Sequence, residues 1–192
     1  MIESRILLLP LLLLSLYAAL AEQTQPSSVA ATKRKLRHIG RNATLPNPDP
    51  EPTEFSEQEI NSYFASDEVE LPAGVQSVSF TEEAGTVTGR ARVDFDRIEA
   101  GRTSSNPLLA VFSGVHDVVV LAHAHGVGGE GFVEADSVLL DGVEIPRFVL
   151  QLFVQKYVQP KYPNLGLNSR FALPDRVDTA VIGSHKVTLT QK

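Results

Sequence analysis

Between Thr86 and Asp96 the chain reads TVTGRARVDFD, and its residues alternate without a break. On an extended strand Val87, Gly89, Ala91, Val93 and Phe95 share one side, and Thr88, Arg90, Arg92 and Asp94 the other. A helix repeats its apolar stripe every three to four residues and cannot carry this pattern. An antiparallel sheet with one dry face and one wet face can. The run from Val75 to Phe80 alternates as well, and Glu83-Ala84-Gly85 supplies a turn, so the two runs form a hairpin.

Strand character returns from Val115 to Val127 and from Gly131 to Ile145, broken by Gly126, Gly128 and Gly129. The tail adds two more strands around Gly183-Ser184. Two segments read as helices. Phe55-Ser56-Glu57-Gln58-Glu59-Ile60 is a helix start in which Ser56 and Glu59 form a capping box and Phe55 staples onto Ile60. Pro146 opens a second helix that Pro160 ends. Its Arg147, Gln151, Gln155 and Gln159 make one polar ridge, whereas Phe148, Val149, Leu150, Leu152, Phe153, Val154, Tyr157 and Val158 make the rest apolar. That stripe is wider than the ~100° needed to rest on a sheet. The expected fold is α+β: a curved antiparallel sheet of about six strands wrapped on one main helix, plus a short N-terminal helix.

The N-terminal region has a different character. MIESR precedes the apolar run ILLLPLLLLSLYAAL, and Ala19-Leu20-Ala21 offers a small-x-small cleavage site, so residues 1–21 read as a signal peptide cut after Ala21. The alternative is an uncleaved anchor, although the run is near the lower length limit for a bilayer and Pro10 interrupts it. Export to the periplasm or beyond is the expectation. With no cysteine, the exported domain must be held by its core, and thiol chemistry is excluded. Residues 22–54 are rich in Pro, Ser, Thr and charge and read as a disordered linker before a single domain over 55–192. Within the linker Lys33, Arg34, Lys35, Arg37 and Arg41 form a basic run suited either to solvent or to an anionic membrane surface. The domain itself holds 11 Lys and Arg against 18 Asp and Glu, which argues against nucleic acid as a partner.

Catalytic motifs are sparse. His123 and His125 alternate along a strand and Glu130 follows, a spacing that resembles the first metal motif of cupins and could hold a divalent transition metal. The cupin glycines and second motif are missing. No phosphate-cradling loop or nucleophile elbow is present in the sequence, and no cofactor is implied. The expectation is a non-enzymatic protein. Its main helix carries more apolar surface than a sheet-packing stripe needs, leaving a groove for an acyl chain. The expected lining is Phe148, Leu152, Phe153 and Tyr157 from the helix with Val120, Phe132 and Leu140 from strands. Arg147 and Lys156 stand at opposite ends of the helix to meet a phosphate.

The succession SEQEINSYFA, LPAGVQSVSF, TVTGRARVDF, DGVEIPRFVLQLFVQKY and LP…VDTAVIGSHKVTLT resembles single-domain bacterial envelope lipid-binding proteins of the TULIP superfamily, of the LmeA-like and YceB-like kind. The resemblance implies a highly curved sheet wrapped on a long helix with lipid or another amphiphile held between them. The helix read here is shorter than that pattern requires. Two other readings stay open: an adaptor that docks a protein partner through the apolar helix, and the cupin-like metal protein.

Overall fold

A computed structural model describes residues 27–98 and 106–192. The signal peptide expected over 1–21, the first residues of the expected linker and most of the polar loop before Asn106 lie outside the described residues. The elements are α1 (Ser28–Asn42), β1 (Thr53–Ser56), α2 (Glu57–Phe64), β2 (Val75–Glu83), β3 (Thr86–Asp94), β4 (Val115–Val127), β5 (Glu130–Leu140), β6 (Val143–Glu144), α3 (Arg147–Phe153), β7 (Asn168–Ala172), β8 (Val177–Gly183) and β9 (Lys186–Gln191). A 3-10 turn, Pro107–Leu109, precedes β4, and a π-helical turn, Val154–Val158, extends α3.

The nine strands form one antiparallel sheet that takes 42% of the described residues, beside three short helices. This corrects the expected α+β body of about six strands wrapped on one main helix. Regular α geometry in α3 lasts only seven residues, too few to serve as the axis of the fold. The additional strands β1, β6 and β7 are two to five residues long, too short to show a period. No described helix is long and apolar enough to cross a membrane.

The central strand is β4. It pairs with β3 along one edge, from Thr86↔His123 to Asp94↔Val115, and with β5 along the other. Where β3 runs out, β8 takes its place through Gly126↔Ala180, and β9 and β1 follow. The β4–β5 hairpin turns on Gly128 and Gly129 at φ 64° and 81°, a conformation that costs glycine nothing. The capping box of α2 is complete: Glu59 N donates to Ser56 Oγ at 3.2 Å and Ser56 N to Glu59 Oε2 at 2.9 Å. Asn61 of α2 then brackets the outer edge of β2, its side chain bonding Phe80 O at 2.8 Å and Phe80 N at 2.7 Å. A side-chain amide here mimics a neighbouring strand and closes part of an open edge.

The expected disordered linker is ordered over much of its length. Ser27 caps α1, and Ala, Lys and Arg within it are strong helix formers. Thr32, Ile39 and Asn42 form the buried side. Ile39 joins Phe55 and Val177 in a small core cluster, with Ile60, Leu173 and Leu189 against it. Polar clamps add to this apolar contact in holding the helix. The Thr32 hydroxyl proton is shared between Ser28 O at 2.9 Å in its own helix and Glu59 O at 3.2 Å, and Lys35 Nζ lies 2.7 Å from Glu59 Oε2. The buried Asn42 amide donates to Gln191 Oε1 and to Asp49 O, both at 2.9 Å. Asn42→Ala would leave the buried Gln191 Oε1 without this donor and is expected to lower the unfolding free energy by about 1–3 kcal/mol in urea titration. A variant as stable as the parent would mean that α1 is not docked.

Candidate functional site: an apolar trough on the sheet

The dry face of β3, β4 and β5 is roofed at both ends and bare between them. At one end Val93, Phe95 and Leu140 join Leu109, Phe112, Ile145, Val149 and Leu150 in the main core, with Val118 and Val138 packed against it. At the other end Gly126 and Gly131 face each other in register. A Cβ on Gly126 would stand 2.8 Å from Leu173, and one on Gly131 2.7 Å from the Phe171 ring. Glycine is required at both because side chains cross directly over the backbone.

Between the two roofs lies a trough of about 380 Å³. Its walls come from Val78 and Phe80 on β2, Val87, Gly89 and Ala91 on β3, Val118, Val120, Ala122 and Ala124 on β4, and Val133 on β5. Arg90 borders it between Gly89 and Ala91, and also borders the polar groove on the opposite face with Ser77, Ser79, Arg92 and Asp117. The surface inside is almost wholly apolar. The hollow has a cause in the sequence: Gly89, Ala91, Ala122 and Ala124 have side chains too small to fill the space between Phe80, Val87, Val120 and Val133.

Of the residues expected to line a binding groove, only Val120 lines this trough. Leu140 is buried in the main core, and Leu152, Phe153 and Tyr157 pack against it. The Phe153 ring sits 4.3 Å from Phe112 and 5.7 Å from Phe95, centroid to centroid. The surplus apolar surface of α3 is therefore covered largely by Phe95 and the segment around Leu109 and Phe112. Phe148, 59% exposed, points to solvent. Arg147 is fixed by hydrogen bonds to Ala135 O at 2.9 Å and Asn168 Oδ1 at 3.0 Å, and Lys156 Nζ lies 5.3 Å from the centre of the Tyr157 ring. A crevice at the start of α3, beside Arg147 and Leu150, holds about 30 Å³, too little for a chain.

Phe132 lies on the wet face, stacked on His125 at 5.0 Å with the Arg170 guanidinium 5.4 Å from its ring. His123, His125 and Phe132 border one hollow of about 270 Å³ there with Arg170, Glu130 is not among its lining, and the expected metal ligands are engaged by other partners. His123 Nδ1 bonds Asp136 at 2.7 Å, His125 stacks on Phe132, and Glu130 is held by Arg170. Among the described residues no group of three His, Asp or Glu could hold a metal ion.

Beyond Phe80, the next dry-face residue of β2 is Glu82, paired in register with Val87 at the trough wall. Glu82 is 1% exposed and its Oε2 has no hydrogen-bond partner. Here the tips of two hairpins join: His185 N donates to Glu82 O at 2.9 Å and Gly85 N to Ile182 O at 3.0 Å. The Glu57 carboxylate accepts from His185 Nδ1 at 2.7 Å and from Glu82 N at 3.4 Å. Burial first, and then the Glu57 charge, push the Glu82 carboxyl above the usual carboxylate range. The hydrogen bond to His185 holds Glu57 below that range, and the same contact raises His185.

Comparison with protein families, with curated proteins and with solved structures finds no match to this chain.

The raised pKa of Glu82 has a definite sign for stability. The folded state favours the protonated acid, so this contribution is present below the ordinary glutamate value of 4.5 and is lost as pH rises through the folded value. Protonated His185 acts in the same direction from its own ordinary value of 6.5. Glu82→Gln removes the first contribution while preserving shape. Its Tm is expected to fall less than that of the parent protein between about pH 5 and pH 8. Parallel Tm profiles would contradict the assignment.

Proposed function

We propose that this protein binds the apolar chain of a lipid or other amphiphile in the trough on the dry face of β2–β5, sheltering it from water without chemical change. The supporting observation is a hollow of about 380 Å³ with almost no polar lining. A polar ligand would find hardly any partner there. The volume is near the low end of small-molecule sites, which span roughly 300–1,000 Å³, and suits a single chain. Each methylene moved from water contributes about 0.8 kcal/mol, so about eight give useful affinity against the costs of association. The head group remains on the open side, in solvent.

Gly89→Val tests this without removing any existing contact. A Cβ at this position would stand 3.7 Å from Phe80, an ordinary van der Waals distance, and the rest of the side chain would enter the trough. A β-branched residue also suits a strand. The variant is expected to keep the parent's Tm and to bind a fluorescent fatty acid roughly tenfold more weakly, about the contact of two methylenes. Native mass spectrometry of gently purified protein should show a lipid-sized adduct. A lipid-free mass, an organic extract without lipid and a stable dimer in solution would instead favour an adaptor that closes this face against protein.

A further inference from the structure

Five of the chain's 17 Lys and Arg lie within residues 33–41, and α1 sorts them into two groups. Lys33 and Lys35 turn toward the domain, with Nζ 2.6 Å from Glu68 and 2.7 Å from Glu59. This corrects the expectation that the whole run is available to a partner. Arg34, Arg37, His38 and Arg41 are exposed and follow the i, i+3, i+4, i+7 spacing of a single helix face. Arg41 Nε donates to Arg37 O at 3.3 Å. Among the described residues no carboxylate forms an ion pair with Arg34, Arg37 or Arg41.

We infer that this face of α1 docks the protein on an anionic lipid bilayer. The opposite face is anchored through Thr32, Ile39 and Asn42, so the three guanidiniums are presented on a rigid support. Residues 22–27 alone separate the apolar run 6–20 and its small-residue end from α1, a reach of about 20 Å when extended. Whenever that run is in a bilayer, α1 is near the head groups. The acidic balance of residues 55–192 then turns the rest of the domain away from an anionic surface. The same acidity disfavours the longer contact that a nucleic acid would require.

The test is partitioning of the full chain between buffer and vesicles of phosphatidylcholine, alone or mixed with phosphatidylserine. Any binding through the apolar run is common to both vesicles, so the excess on the mixed vesicles is the signal. Three arginines at about fivefold each give an excess on the order of 100-fold at low ionic strength, shrinking as salt is added. Arg34→Gln/Arg37→Gln/Arg41→Gln should abolish the excess and leave binding to phosphatidylcholine unchanged. If circular dichroism shows the triple variant unfolded, the single Arg→Gln variants are read instead, each expected to lose about fivefold. Equal partitioning of the parent chain to both vesicles overturns the inference, as does an excess that survives substitution. Binding of duplex DNA that the substitutions abolish, without any vesicle preference, overturns it in favour of nucleic acid.

Discussion

The structure depends on burial of one face of a sheet whose central strand outruns the lids available to cover it. β4 has 13 residues, whereas α3 has seven in regular helix. Apolar side chains along β3 and β4 drive the sheet to seek cover. The helix and the segment around Leu109 and Phe112 cover one end, and Leu173 and Phe171 cover the other. The two core clusters are thus separate, and the stretch between them is left to solvent or to a ligand. Small residues at Gly89, Ala91, Ala122 and Ala124 deepen that stretch instead of filling it.

Polar contacts hold the periphery. Asn61 blocks part of the open edge of β2, and the joined hairpin tips at Glu82 and His185 hold β2 and β3 to β8 and β9. A buried carboxyl at such a junction is costly unless it is protonated or paired. Its position beside Val87 puts a titratable group one register step from the trough wall. Trough and junction are therefore neighbours in the sheet.

Much of this was readable from residue order where local rules decide. The alternation of β3, the glycine turn between β4 and β5 and the capping box at Ser56 each depend on near neighbours. What failed depended on distant partners. The sequence reads as a disordered linker over 22–54 and does not announce α1 at all, because Thr32 and Asn42 dock by hydrogen bonds to Glu59 and Gln191, which no apolar pattern reveals. The wide apolar stripe of α3 reads as spare surface in the sequence, but Phe95 and Phe112 reach it from elsewhere in the chain. The spacing of His123, His125 and Glu130 was real, yet Asp136 and Arg170 claim two of its members across strand pairs. The trough itself had a signal in the four small residues on the dry face. It could have been read as missing volume.

Solution NMR of the protein with labelled Val and Ala methyl groups, titrated with a single-chain fatty acid, shows whether a chain enters the trough. Saturable shifts and intermolecular contacts confined to Val78, Val87, Val120, Ala122, Ala124 and Val133 are expected. Shifts centred on the valines of α3 and its π-helical turn, Val149, Val154 and Val158, or no saturable response at all, would contradict a trough built to hold a chain.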